Sequence, residues 1–159
     1  MSIEVGTDTY ISTVTADAYS SARGNSGWDA LTTSEKEQAL VKSTSWLDSK
    51  FKNLWKGVRA DVDQVLAWPR YAVYDEDGFS LDDETIPTAV KNACAEMAYK
   101  IACENENPFE DEEQGIASEK VGPISINYDG RARQKKYAYI RGILAGVTKG
   151  ANNPEVVRA

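Results

Sequence analysis

Apolar residues recur at helical spacing in three stretches of this chain and alternate in a fourth. Leu40, Ser43, Leu47 and Phe51 fall on one helical face, flanked by Ala39 and Trp46, with Glu35, Lys36, Glu37, Lys42 and Asp48 mostly around it. Ahead of them, Thr32-Thr33-Ser34-Glu35 fits a capping box, in which the threonine hydroxyl and the glutamate carboxylate satisfy backbone donors at the helix start. This helix is predicted to run to Phe51. Pro87 suits the first turn of another helix, where its missing N–H costs nothing. Val90, Cys94, Met97 and Ile101 then share a face, with Lys91, Asn92, Glu96 and Lys100 largely away from it. That is the clearest pattern in the chain and predicts the core helix. Tyr137, Ile140, Leu144 and Val147 repeat it before Gly150.

The remaining elements are shorter. A first helix is expected after the β-branched run Thr9 to Val14, capped by Thr15 and ended by Gly24. From Ile116 to Tyr128 the period changes: Ile124, Ile126 and Tyr128 alternate with Ser125 and Asn127, and Gly122-Pro123 breaks the run, predicting two short paired strands. Asp77-Gly78 signals a turn between Tyr71–Tyr74 and Phe79–Leu81, as a small hairpin or an ordered loop. Between Trp55 and Tyr71 the propensities are mixed, with one helical turn expected near Asp61 to Leu66 before Pro69 stops it. The expected fold class is mainly α: a small bundle of about four helices with a short β-hairpin inserted before the last helix. Residues 1–150 read as a single domain and 151–159 as a flexible C-terminal tail.

Composition narrows the chemistry. The 159 residues are 42% hydrophobic and 27% charged, ordinary for one globular domain. No run approaches the length of a membrane span and the first residues lack a secretory pattern, so a soluble, unsecreted protein with no membrane partner is expected. There is no histidine, which removes the commonest general base and zinc ligand. Cys94 and Cys103 sit nine residues apart on one predicted helix, about 13 Å of rise, so they cannot pair and read as free thiols. Cys94 lies on the apolar stripe and reads as a small core residue. Asp75, Asp77, Gly78 and Glu84 imitate a calcium loop, but its first ligand position is Val73, which has no side-chain oxygen. The glycines form no phosphate-cradling loop. No metal, no cofactor and no catalytic residue is expected, and the chain reads as a non-enzyme; a small carboxylate-only enzyme is the weakest alternative.

Charge is distributed more tellingly than its total of −7, which disfavours a protein whose whole surface holds nucleic acid. The stretch Asn105 to Glu113 is acidic and proline-broken. Soon after it come Arg131, Arg133, Lys135, Lys136 and Arg141 without an acidic residue among them. With Tyr128, Tyr137 and Tyr139 interleaved, this basic stretch has the composition that grips single-stranded nucleic acid. It could equally meet the acidic run, including Glu110 and Asp111, on a neighbouring copy, or be a plain solvated face. Trp28, Trp46, Trp55 and Trp68 are many tryptophans for this length and read as core. Trp68 and Pro69 read as a rigid structural corner, with Arg70 the residue expected to reach a neighbour.

Four segments in series carry a resemblance: Leu66-Ala67-Trp68-Pro69-Arg70, Asp75-Glu76-Asp77-Gly78, Ile86 to Ala98, and Glu119 to Ile124. In this order the chain, over about Tyr10 to Val147, resembles the head-to-tail connector (adaptor, or head-completion) proteins of tailed bacteriophages, a family also labelled DnaT-like single-stranded-DNA-binding proteins. The resemblance implies a virion protein, assembled in the bacterial host cytoplasm. It would form a dodecameric ring of identical subunits beneath the portal at the capsid vertex, meeting portal and a tail, stopper or nozzle protein. Double-stranded DNA would pass through the lumen without sequence-specific binding. It further implies portal attachment through the C-terminal extension, here Asn152, Pro154 and Arg158. The alternative expectation is a single-stranded nucleic-acid-binding protein acting through residues 131–141.

Overall fold

The computed structural model describes residues 2–109, 118–121, 124–127 and 137–150, the two strands at 118–127 by their backbone alone. The elements in chain order are α1 (Thr13–Ala22), α2 (Ser26–Asp29), α3 (Thr33–Phe51), β1 (Val58–Arg59), β2 (Arg70–Tyr71), α4 (Thr88–Cys103), β3 (Ser118–Val121), β4 (Ile124–Asn127), α5 (Ala138–Ile143) and a 3-10 turn (Ala145–Val147). The fold is mainly helical, as the periodicity predicts. β3 and β4 pair antiparallel with Val121 opposite Ile124 and Ser118 opposite Asn127, which places the expected hairpin before the last helix. None of the helices among the described residues is long and apolar enough to cross a membrane.

The centre is the packing of α3 on α4, and its residues explain why the helices approach closely. α3 presents Leu40, Ser43, Thr44 and Leu47, and α4 presents Val90, Ala93, Cys94 and Met97, all buried. Two of the α3 positions are hydroxyls, and both are satisfied. Ser43 Oγ donates to the Cys94 carbonyl at 2.7 Å, and Thr44 Oγ1 lies 3.4 Å from Cys94 Sγ and accepts from the Tyr10 N–H at 3.3 Å. Small residues and paired hydroxyls thus bring the backbones together without leaving a buried polar atom open. Cys94 is wholly buried, and that burial pushes its thiol pKa up. α1, α2 and α5 also pack on α4, and Ile140 of α5 and Leu144 just after it are buried.

Helix ends follow local chemistry. The Thr32–Glu35 capping box forms: Thr32 Oγ1 accepts from the Glu35 N–H at 3.3 Å, and the Glu35 carboxylate accepts from the Thr32 N–H at 2.8 Å. The cap of α1 is Ser12 rather than Thr15. Ser12 is extended and its Oγ accepts from the Thr15 N–H at 3.2 Å, so Thr13 and Val14 join the helix despite their β-branching. Gly24 ends α1 at φ +69°. The last helix is shorter than its apolar stripe: α5 stops at Ile143 and the chain tightens into a 3-10 turn that still buries Val147.

The stretch from Lys52 to Ile86 has no helix. The turn expected near Asp61 to Leu66 is replaced by an irregular loop organised by Gln64, whose carboxamide accepts from the Asp61 N–H at 2.9 Å and donates to the carbonyls of Leu66 (2.7 Å) and Pro69 (3.0 Å). β1 and β2 form a two-residue ladder flanking this loop, Val58 opposite Tyr71. The Asp77-Gly78 turn forms. Asp75 Oδ1 accepts from the N–H groups of Asp77 and Phe79, Gly78 sits at φ +87°, and Tyr74 bridges Ser80.

Candidate functional site

Trp68 and Pro69 form the corner that the sequence suggests, and it is buried. Trp68 has no solvent exposure and packs edge-on to Trp55 at 5.7 Å. Trp55 in turn lies 5.4 Å from Phe51, Phe51 6.0 Å from Trp46, and Trp46 5.0 Å from Tyr137. This run of rings joins the corner, the end of α3 and the start of α5 into one apolar spine. The peptide bond between Trp68 and Pro69 is cis.

Arg70 is half-buried and makes its hydrogen bonds within its own chain. Its guanidinium donates to the carbonyls of Lys56 (2.7 Å), Gly57 (2.7 Å) and Ala67 (3.1 Å), tying the two limbs of the corner together. Gly57 permits this approach. It lies at φ +63°, and a Cβ there would stand 2.2 Å from the Tyr71 carbonyl oxygen. Beside it, Asp48 on α3 accepts from the Tyr10 hydroxyl and, at 3.0 Å, from the Ala67 N–H. Burial pushes the Asp48 carboxyl pKa up, against the downward pull of those donors and of the Arg70 charge. Lys56 completes the set, its Nζ donating to the carbonyls of Gly146 (2.8 Å) and Tyr74 (3.1 Å).

Asp48, Lys56, Gly57 and Gln64 were not legible as a group, because their partners are backbone atoms of a loop without periodicity. Asp48 alone left a trace: it follows Thr44 by four residues, at the edge of the α3 stripe. Between α3 and the corner lies an open groove of about 800 Å³, bordered by Asp48, Lys52, Trp55, Arg59, Val65 and Arg70.

The charged candidates are placed differently. Glu110, Asp111, Arg131, Arg133, Lys135, Lys136, Asn152, Pro154 and Arg158 lie outside the described residues. The structure does show where the acidic-to-basic segment leaves and returns. The Tyr137 hydroxyl donates to Glu106 Oε2 at 3.4 Å, so the start of the acidic run and the end of the basic one meet at the Trp46 end of the spine. Of the basic stretch's described residues, Tyr139 and Arg141 stand exposed on α5. Residues 2–109 carry ten basic against eighteen acidic side chains, whereas 130–150 carry six basic and no acidic one. The molecule is therefore electrostatically two-sided along its sequence.

Among the described residues no group of three or more Cys, Asp or Glu side chains is arranged to hold a metal ion. Neither a curated protein nor a solved structure matches the chain significantly. A family model described as "Putative DnaT-like ssDNA binding protein" matches residues 2–159, so the chain belongs to that family.

Proposed function

We propose that this chain is a structural subunit of the head-to-tail connector of a tailed bacteriophage, a ring that sits under the portal and lets DNA through. The observation that carries the proposal is the separation of charge. An acidic body and a wholly basic segment in one chain favour head-to-tail contact between identical copies, which closes into a ring when the rotation per subunit allows. The four sequence segments that resemble the connectors support the same reading. Three of them lie in described residues: the Trp68–Pro69 corner, the Asp75–Gly78 turn and the start of α4. A net-negative subunit also suits a channel in which DNA must slide rather than stick. Mixing the purified protein with a portal protein from the same genome should give rings on the portal by electron microscopy. Portals that stay bare at all protein concentrations would overturn the proposal.

A second reading, single-stranded DNA binding, is favoured by the family's own description, which supports it more directly than it supports the connector. In this reading Arg131, Arg133, Lys135 and Lys136 hold phosphates and the neighbouring tyrosines stack on bases. It predicts retention of a single-stranded oligonucleotide in a gel shift that weakens steeply with salt. No retention near physiological salt eliminates it, and strong retention with bare portals would put it in first place.

A further inference from the structure

We propose that the acidic turn at residues 74–84 of one copy docks, Phe79 first, in the groove between α3 and the corner of a second copy. The inference rests on the connector reading, in which copies of this chain meet, and names the surfaces of the body that face each other.

The turn is anchored at its root and bare at its tip. Val73 is buried and Leu81 packs against the core, with the Leu81 N–H donating to the Val73 carbonyl at 2.9 Å. Farther out, the Asp75 N–H donates to the Phe79 carbonyl at 3.0 Å and Tyr74 bridges Ser80, so the two limbs stay tied. Phe79 is nevertheless 70% exposed and Tyr74 55%. Exposed aromatic rings on one ordered turn are unfavourable in an isolated chain and are enriched where chains meet. Around them stand Asp75, Glu76, Asp77, Asp82, Asp83 and Glu84, with no basic residue between Arg70 and Lys91.

The groove has the opposite character. Val58 and Val65 line it, 48% and 70% exposed, and the exposed side chains of Lys52 and Arg59 set positive charge beside them. Asp48, the one carboxylate among the described residues that line it, has both oxygens engaged by Tyr10 and Ala67. An apolar strip with basic edges matches an aromatic tip with acidic flanks in both respects. A nucleic-acid strand would answer the charges and leave the valines uncovered. The turn does not fill its own chain's groove, since Phe79 stands exposed while Val73 and the bond from Lys56 Nζ to the Tyr74 carbonyl, at 3.1 Å, hold the root in place. A second copy brings the two surfaces together. Each copy offers a turn and receives one, the head-to-tail arrangement that a ring requires. The contact orients neighbouring bodies, and the basic segment supplies the rest of the joining.

The test replaces Phe79 in the full chain with photoreactive p-benzoylphenylalanine. Isotopically heavy and light forms are mixed, assembled with a portal protein from the same genome, inspected by electron microscopy, irradiated and read by mass spectrometry. The inference predicts cross-links from position 79 to residues 52–70 that join the two isotopic forms. It also predicts their loss in the Lys52→Glu, Arg59→Glu variant, and their return when Glu76→Lys and Asp77→Lys are added to it. Rings in which position 79 cross-links to another segment, only within one isotopic form, or not at all overturn the inference and leave the connector reading standing. So does a yield unchanged by reversing the charge of the groove. Portals that stay bare overturn that reading, and the inference with it.

Discussion

The α3–α4 seam and the corner between Lys52 and Ile86 are equally buried at their centres, yet they are held in different ways. The seam is a repeated contact: each turn of α3 meets a turn of α4 through side chains of similar kind, so any one position carries a share. The corner is a set of single contacts without substitutes. Arg70 joins three carbonyls, Gln64 joins two and accepts from a third group, and Gly57 makes room for the Tyr71 carbonyl. Periodic packing degrades by degrees when it is altered. A lock fails as a whole.

The sharpest way to break this contrast is at Gly57. Gly57→Ala adds a Cβ at 2.2 Å from a backbone oxygen in a positive-φ conformation, and should cost about 3–5 kcal/mol by urea unfolding. A loss under 1 kcal/mol would mean that the corner yields like ordinary loop. In the seam, Leu47→Ala should cost about 2–5 kcal/mol, its place in that range set by how far α3 and α4 settle into the space. Arg70→Lys should cost about 2 kcal/mol despite keeping the charge, because one ammonium cannot reproduce a fork that reaches three carbonyls. If Arg70→Lys is neutral while Arg70→Ala is not, charge rather than geometry holds the corner.

Asp48 sharpens the comparison by pH. Its folded pKa is raised above the ordinary 3.8 by burial, so the folded state binds its proton more tightly than the unfolded one. That contribution is fully present below the unfolded pKa and is lost as pH rises through the folded value. The stability of the native chain relative to Asp48→Asn should therefore fall as pH is raised from about 4 toward neutrality. Urea midpoints of the pair at several pH values measure it, and a parallel pair of curves contradicts the burial argument. Smallest of all, Thr32→Ala should remove about 1 kcal/mol by opening the capping box, with no effect on the corner.

The same contrast explains what could be read from the sequence. α3, α4 and the β3–β4 hairpin were legible because their periods are carried by many residues, and the Thr32 cap because its chemistry is local. Thr15 was mistaken for a cap because Ser12, three residues earlier, offers the same hydroxyl, and the β-branched Thr13 and Val14 argued against an earlier start. The loop near Gln64 looked helical because nothing in its composition reveals that one carboxamide will serve Asp61, Leu66 and Pro69 together. The carbonyl partners of Arg70 left no sequence signal, because they sit up to fourteen residues away in the chain. Glu110, Asp111 and the basic cluster rest on composition alone and lie outside the described residues; what the structure adds is the contact between Glu106 and Tyr137 at the two ends of that segment.

The central claim is that the body is a scaffold and the basic segment does the joining. Its most direct test is portal binding by a variant with Arg131, Arg133, Lys135 and Lys136 all replaced by serine. The account predicts loss of ring formation on the portal at an unchanged urea midpoint. Full assembly by this variant, or a fall in stability that tracks the loss of assembly, would contradict it.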